Sequence, residues 1–308
     1  MLAVRAVRHG LAATVAVLLV AVVVGGLAFG AWQRGEDRLA GLTGRAHGEI
    51  VAVGAGGDPA VVRVRWQRPG SGTVHSDVAI GESVPPVGAR VQVAFDPADP
   101  GRVTLPGSAA IESTGRALAG VASLCVVVAG VLVAGAVRFA VAARAGSHEP
   151  RPLTVRRLRL QHGLLARSWI EFEAAPQRWF PVYFDPALVT VPSPAEVAVH
   201  GDPRRDRWIA MTVDGRRIYP SGPVRASEPR GRRTDNPARP DADTARRARE
   251  ATLARQLRVD LAFAAPAPLV GLFWAFLDGG GIASWLGATV VAATVGPWTC
   301  AYRGSDPS

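Results

Sequence analysis

The stretch LAATVAVLLVAVVVGGLAFGAW, from Leu11 to Trp32, carries no charge over 22 residues. At 1.5 Å per residue a helix of this length spans a hydrocarbon core of about 30 Å. Arg5 and Arg8 precede it and Ala28-Phe29-Gly30-Ala31 stands where a signal-peptide cleavage site would. The apolar run exceeds the roughly 7 to 15 residues of a signal core, so an uncleaved anchor is expected. A second run covers Leu118–Val137, with Arg138 and a further apolar turn to Ala143 behind it. Two more, Leu261–Leu277 and Ile282–Tyr302, are separated only by Asp278-Gly279-Gly280-Gly281, enough for a helical hairpin. Pro266, Pro268 and Pro297 should bend these helices, which neighbouring helices can tolerate. Arg138 is expected to snorkel from a helix end as an anchor. The pattern therefore predicts a multi-pass α-helical membrane protein with four transmembrane helices.

Composition supports that class. The chain has 308 residues, is 48% hydrophobic and carries a formal charge of +10, with a mean hydropathy of +0.17. All 35 basic residues are Arg. Without Lys, a phosphate-loop lysine, a Schiff base, a kinase strand lysine and a Ser-Lys dyad are all excluded.

The Arg distribution sets an orientation. Near the segment ends, 13 Arg flank one side (the amino terminus, 144–160, 243–259 and the carboxyl terminus), against 5 at 33–50 and 100–116. Both termini and the 144–259 region should be cytoplasmic, with 33–116 outside. Charge follows the same division: +2 at 1–9, zero at 33–116 and +9 at 144–258. The basicity is a topology signal. Trp32, Trp285, Trp298 and Tyr302 fall near the expected interfaces, where amphipathic rings collect. Small residues recur every fourth position at Gly26/Gly30, Ala267/Gly271/Ala275 and Ala288/Ala292/Gly296. Such faces let helices approach closely; packing within the chain is expected, with a homo-oligomer as the other use.

The expected domains follow. Residues 1–32 form a tail and the first transmembrane helix, 33–116 a small extracytoplasmic β domain and 117–143 the second helix. Residues 144–220 form a cytoplasmic β domain, 221–242 a disordered linker and 243–260 a basic juxtamembrane helix. Residues 261–303 form the helical hairpin and 304–308 a C-terminal tail. In the outer domain Val62, Val64 and Trp66 alternate with Arg63 and Arg65, and Val91, Val93 and Phe95 with Gln92 and Ala94. Period two marks half-buried strands, separated by turns at 54–59, 69–72, 85–88 and 96–101. Four or five strands suit a small barrel or sandwich. The inner region repeats the pattern, and Val213-Asp214-Gly215-Arg216 is a type I′ hairpin signal. Val197-Ala-Val-His-Gly-Asp-Pro203 echoes Val91-Gln-Val-Ala-Phe-Asp-Pro97, which raises a duplicated domain, one copy per membrane face.

Gly48-Glu-Ile-Val51, Pro59-Ala-Val-Val-Arg-Val64 and Val87-Gly-Ala-Arg-Val-Gln-Val-Ala-Phe-Asp-Pro-Ala-Asp-Pro100 together resemble a bacterial family of membrane-anchored β domains of unknown function. Its pattern is G-x-V, P-x-V-x-F and G-x-x-V-x-V-x-Y-D-P-x-x-P. Phe95 stands where that family more often has Tyr, and Val64 where it has an aromatic. The match covers about 45–105, and the resemblance implies a fold and an envelope location but no activity.

Chemistry-bearing residues form no constellation in the sequence. His9, His47, His75, His148, His162 and His200 lack metal-ligand spacing with one another or with Cys125 and Cys300; the two thiols, inside apolar segments, are expected to be fillers. Asp96 and Asp99 read as a turn rather than a calcium loop, which needs six to eight oxygens. His200-Gly-Asp202 reads as a strand end, an enzymatic use requiring His200, Asp202 and Tyr183 to converge. Trp169, Trp179, Phe180, Tyr183 and Trp208 among many Arg admit a nucleic-acid reading, but at strand spacing aromatics fill cores. Asp260 and Asp278 are expected to cap membrane segments. The expectation is a non-enzymatic protein of the bacterial plasma membrane, both termini cytoplasmic, with no catalytic, metal or cofactor residues. It would touch the bilayer and an unidentified protein partner, not nucleic acid. Its role would be structural or protein-interacting through the β domains; the alternative is an accessory or regulatory subunit of a transport or secretion complex.

Overall fold

Where no water can satisfy amides and carbonyls, an apolar run must bond to itself as a helix, and the two longest runs do. In the computed structural model α1 spans Arg5–Leu39 and α2 Ala109–Gly146. At 1.5 Å per residue their 35 and 38 residues give lengths of about 52 and 57 Å. Both are long and apolar enough to cross a membrane, and Leu19, Val22 and Leu27 on α1 and Val126, Val133 and Val137 on α2 are exposed. The structure describes residues 4–70, 72–81, 83–99, 101–174 and 176–308. Met1–Ala3 of the tail, Ser71 of the expected 69–72 turn and Pro100 of the Asp-Pro turn lie outside the described residues.

The chain divides into two compact units: Val22–Val126, and the residues up to Ala21 together with Val127–Ser308. In the first, β1 (Gly44–Val53), β2 (Val61–Arg68), β3 (Gly72–Ala79), β4 (Arg90–Phe95) and β5 (Val103–Thr104) form an antiparallel sheet in the order β3-β2-β1-β4-β5. Alternation buries one face: Ile50, Val62, Val64, Trp66, Val93 and Phe95 form its core, with the Trp66 and Phe95 rings 5.0 Å apart. The open edges approach where Ile80 bridges Ser108 and the Gly81 amide donates to the Gly107 carbonyl.

In the second unit β6 (Pro150–His162), β7 (Leu165–Phe172), β8 (Arg178–Val182), β9 (Ala195–His200), β10 (Ala210–Val213) and β11 (Arg216–Ile218) are ordered β11-β10-β9-β6-β7-β8, with β12 (Arg232–Asp235) paired to β6. Counted from its own first strand, each sheet has its first five strands in the order 3-2-1-4-5, and the second continues with a sixth, β11, and with β12. Their closure also corresponds: the edge after β8 meets the chain after β11 through the Val182–Pro220 bridge and the Tyr183 amide on the Tyr219 carbonyl. The Val91–Pro97 and Val197–Pro203 echo falls on β4 and β9, equivalent strands in that order. The β10–β11 turn pairs Val213 with Arg216 and holds Asp214 at φ 46 and Gly215 at φ 73, the two positive values that a type I′ turn requires.

Three expected segments need correction. The stretch 221–242 is not a disordered linker: Arg225 bonds Trp179 backbone to backbone, β12 joins the sheet, and the buried Asn236 donates to the Leu188 and Val191 carbonyls. Polar backbone can be fixed by sheet bonds where apolar burial is scarce. Residues 304–307 are buried as well, with the Asp306 amide on the Ala166 carbonyl. The expected basic helix 243–260 is divided at Ala251-Thr252 into α3 (Ala242–Glu250) and α4 (Leu253–Asp260), each started by a side-chain cap from Asp241 or Thr252.

The last third ends in a helical hairpin. A 3-10 turn over Leu261–Ala264 leads through Pro266 into α5 (Ala267–Asp278), and α6 (Gly281–Arg303) returns. The expected third segment is thus interrupted: Leu253–Ala264 and Ala267–Asp278 meet at a bend of 40°, where Pro266 lacks an amide donor. Among the described residues two helices are long and apolar enough to span, or three if the bent pair counts as one. Ala267, Gly271 and Ala275 are buried, and Gly271 lies against Trp285 and Thr289 of α6, so this stripe packs within the chain. Gly26 of α1 has nothing packed on it.

Candidate functional site

The sequence residues singled out for chemistry are scattered. His200 is buried with both ring nitrogens engaged, Nδ1 3.0 Å from the His148 carbonyl and Nε2 2.9 Å from Thr212 Oγ1. Asp202 accepts from the Arg204 amide, and the Tyr183 hydroxyl donates to the Tyr302 carbonyl at 3.1 Å. The three therefore bond to separate partners. Asp96 and Asp99 accept the amides of Ala98 and Gly101, the turn geometry expected of Asx residues. Trp169, Trp179 and Phe180 are buried in the second unit. Among the described residues no group of three or more His, Cys, Asp or Glu could hold a metal ion.

Charge and aromatic rings converge instead around Tyr302, in the second unit. Four elements meet there because α6 ends beside the sheet: Trp298 Nε1 donates to Thr14 Oγ1 of α1, the Trp298 and Tyr302 rings stack at 5.2 Å, and Tyr183 holds the Tyr302 carbonyl. Above the Tyr302 ring, at 4.3 Å, lies the Arg138 guanidinium, which also sits 5.3 Å from Trp208. Cation–π contact of this kind is worth more when desolvated. Arg138 Nε and Nη1 are buried without a hydrogen-bond partner. The expected snorkelling anchor is thus turned onto aromatic rings.

Arg167 stands behind it on β7. Its Nη2 donates to Ser221 Oγ at 3.1 Å, and its guanidinium faces the Trp169 ring, as does that of Arg225, each 5.3 Å away. Burial first, then the positive charges of Arg303, Arg225 and Arg138, push the Arg167 guanidinium down to about 10. Burial likewise raises the Tyr183 hydroxyl above its ordinary value. Among the described residues none of these four Arg forms an ion pair.

Arg138, Tyr183 and Tyr302 are among the residues that line a cavity of about 400 Å³ whose walls are otherwise mostly apolar, including Leu11, Leu132 and Phe139. Its size lies in the range of small-molecule sites, which combine apolar walls with a few polar groups.

Two buried polar pairs were not legible from spacing. His9 Nε2 lies 2.7 Å from Asp260 Oδ2, both nearly inaccessible, and Arg5 Nε donates to Gln256 one turn away. Arg157 and Asp306 pair at 2.6 Å inside the sheet, with Ser168, Ser308 and Asn236 completing the network. Each joins residues over 140 positions apart, which leaves no local signature. No protein-family model, curated protein or solved structure matches this chain.

Proposed function

We propose that the chain is a non-enzymatic integral membrane protein of the bacterial plasma membrane that presents one β domain outside and one inside, and acts through protein contacts of those domains. The observation that carries this reading is the fastening of α1 at both ends to folded polar structure. In the first unit Arg102 Nη2 donates to the Asp37, Arg38 and Ala40 carbonyls at 3.2, 2.8 and 3.1 Å, closing carbonyls that a helix end leaves open. In the second, the start of α1 is held by the His9–Asp260 and Arg5–Gln256 contacts. Between these ends the helix exposes Leu19, Val22, Val23 and Leu27, an arrangement that suits lipid and costs free energy in water.

The Arg asymmetry supports a cytoplasmic location for both termini, together with the second sheet. α5 and α6 complete four membrane segments, entering as a hairpin from the cytoplasmic face. Leu269, Phe273, Phe276 and Ile282 face lipid in this arrangement, being exposed. The resemblance of residues 45–105 to the membrane-anchored β family fits the outer placement. A repeated domain on each face suits a component that contacts one protein on either side.

Cysteine accessibility tests the topology. In a background with Cys125 and Cys300 replaced by Ala, an impermeant maleimide applied to intact cells should label Gly70→Cys and leave Arg230→Cys unlabelled until the membrane is opened. Labelling of both from outside, or of Arg230→Cys alone, overturns the orientation.

A further inference from the structure

We propose that the apolar cavity closed by Arg138 and Tyr302 binds an anionic phospholipid, its acyl chain along the α1–α2 wall and its phosphate at the Arg138 guanidinium. The inference rests on the membrane insertion proposed above and assigns a ligand to one face of that protein.

Four observations combine. The cavity, about 400 Å³, is walled by apolar residues of two helices that otherwise face lipid, so a chain of methylenes is the occupant its walls favour. Among its lining residues is Arg138, whose Nε and Nη1 are buried without a hydrogen-bond partner, and charge-assisted N–H bonds from a guanidinium to phosphate are the strong kind. Behind Arg138 stand Arg167, Arg225 and Arg303, close enough that each of the other three depresses the Arg167 guanidinium. Four cations that form no ion pair among the described residues create a standing positive potential that an anion would relieve. Finally, the site lies on the side whose flanks carry the excess of Arg, where anionic headgroups concentrate basic segments.

Cation–π stacking satisfies only the faces of the Arg138 guanidinium; the in-plane N–H donors stay open. A zwitterionic headgroup brings a compensating ammonium into the same potential, and inorganic phosphate leaves the apolar walls exposed. Charge therefore selects the headgroup and the walls select for a lipid over a free anion.

The test uses the full-length protein in detergent, with native mass spectrometry counting retained lipid after equal exposure to dioleoyl-phosphatidylglycerol, dioleoyl-phosphatidylcholine or inorganic phosphate. Wild type should retain the phosphatidylglycerol about tenfold more than the phosphatidylcholine, whose ammonium is repelled by the clustered guanidiniums, and retain no phosphate. Arg138→Gln should bring the ratio to about one. Gly135→Phe, at a cavity position where an added Cβ meets nothing within 4 Å, should place its ring in the groove and lower retention of both lipids. Equal retention of the two lipids by wild type overturns the proposal, as does a preference that survives in Arg138→Gln, or binding of inorganic phosphate at the level of the lipid. Circular dichroism of each variant identifies a folding failure. For a variant that does not fold, Arg138→Lys replaces it, expected to keep part of the preference. The lipid ratio and the cysteine labelling are independent, so a wrong topology and a wrong ligand give different results.

Discussion

The two sheets share a strand order and a mode of closure, yet they are held together differently. The first relies on one apolar face, Trp66 and Phe95 at its centre, and its cross-strand ion pairs Arg63–Asp77 and Arg65–Glu49, at 2.7 and 2.8 Å, are exposed. The second is covered on both faces: Phe172, Phe180 and Met211 fill one core, Leu158, Leu160, Trp169 and Trp179 another. Through it runs the buried Asn236–Arg157–Asp306 network. One topology can thus be completed by burial alone or by burial plus a polar staple that fastens late segments of chain. The staple is demanding, because a buried charge is tolerated only with its partner in place.

The difference should be largest when that partner is removed. Asp306→Ala leaves Arg157 charged and buried, and should destabilise the second unit by about 3–5 kcal/mol. Hydrogen exchange in detergent should show lost protection in β6, β7 and β12 and unchanged protection in β1–β4; equal loss in both sheets would mean that the staple is not local.

Acid should reveal the same asymmetry on a smaller scale. Burial raises the Asp306 carboxyl, but Arg157, Ser168 and Ser308 outweigh it and hold the group below the ordinary carboxylate value. A depressed carboxyl contributes stability that is present above its ordinary value of 3.8 and lost as pH falls below it. The second unit should therefore lose protection on acidification over that range, and Asp306→Asn should remove most of this dependence. Asp77, also depressed, through its hydrogen bond to Arg63, is fully exposed, so screening leaves the first sheet with little comparable response.

The smallest effect probes the β10–β11 turn of the second sheet. Gly215 holds φ 73, where a Cβ costs roughly 1–2 kcal/mol. Gly215→Ala should lower stability of the second unit by about that amount, read by the midpoint of thermal unfolding, while Asp214→Gly should be neutral or nearly so.

Much of the strand content was legible because alternation is a local property. Val62, Val64 and Trp66 point inward as their spacing predicts, and the Asp-Gly pair forms the hairpin that its backbone freedom favours. The 221–242 stretch misled because Pro, Arg and Asp lack apolar surface, while its ordering comes from sheet pairing by Arg232–Asp235 and from Asn236. Asp260, expected as a cap, has its carboxylate on His9; 251 residues separate them, so no periodicity could link them. The candidate site was illegible for the same reason: Arg138 was visible as a charge near a helix end, but Trp208 and Tyr302 reach it only through the fold.

By itself the sequence determined the two long apolar helices, the period-two strands, the tight turns and the Arg asymmetry, since each depends on residues within a few positions of one another and on transfer from water. Tertiary structure alone decided that the first five strands of the two sheets follow one order, that the C-terminal residues are buried at Arg157, and that the Arg138 guanidinium lines an apolar cavity against the Tyr302 ring. Those features depend on which distant surfaces meet, and the cost of burying charge is settled only by the partners that the folded chain supplies.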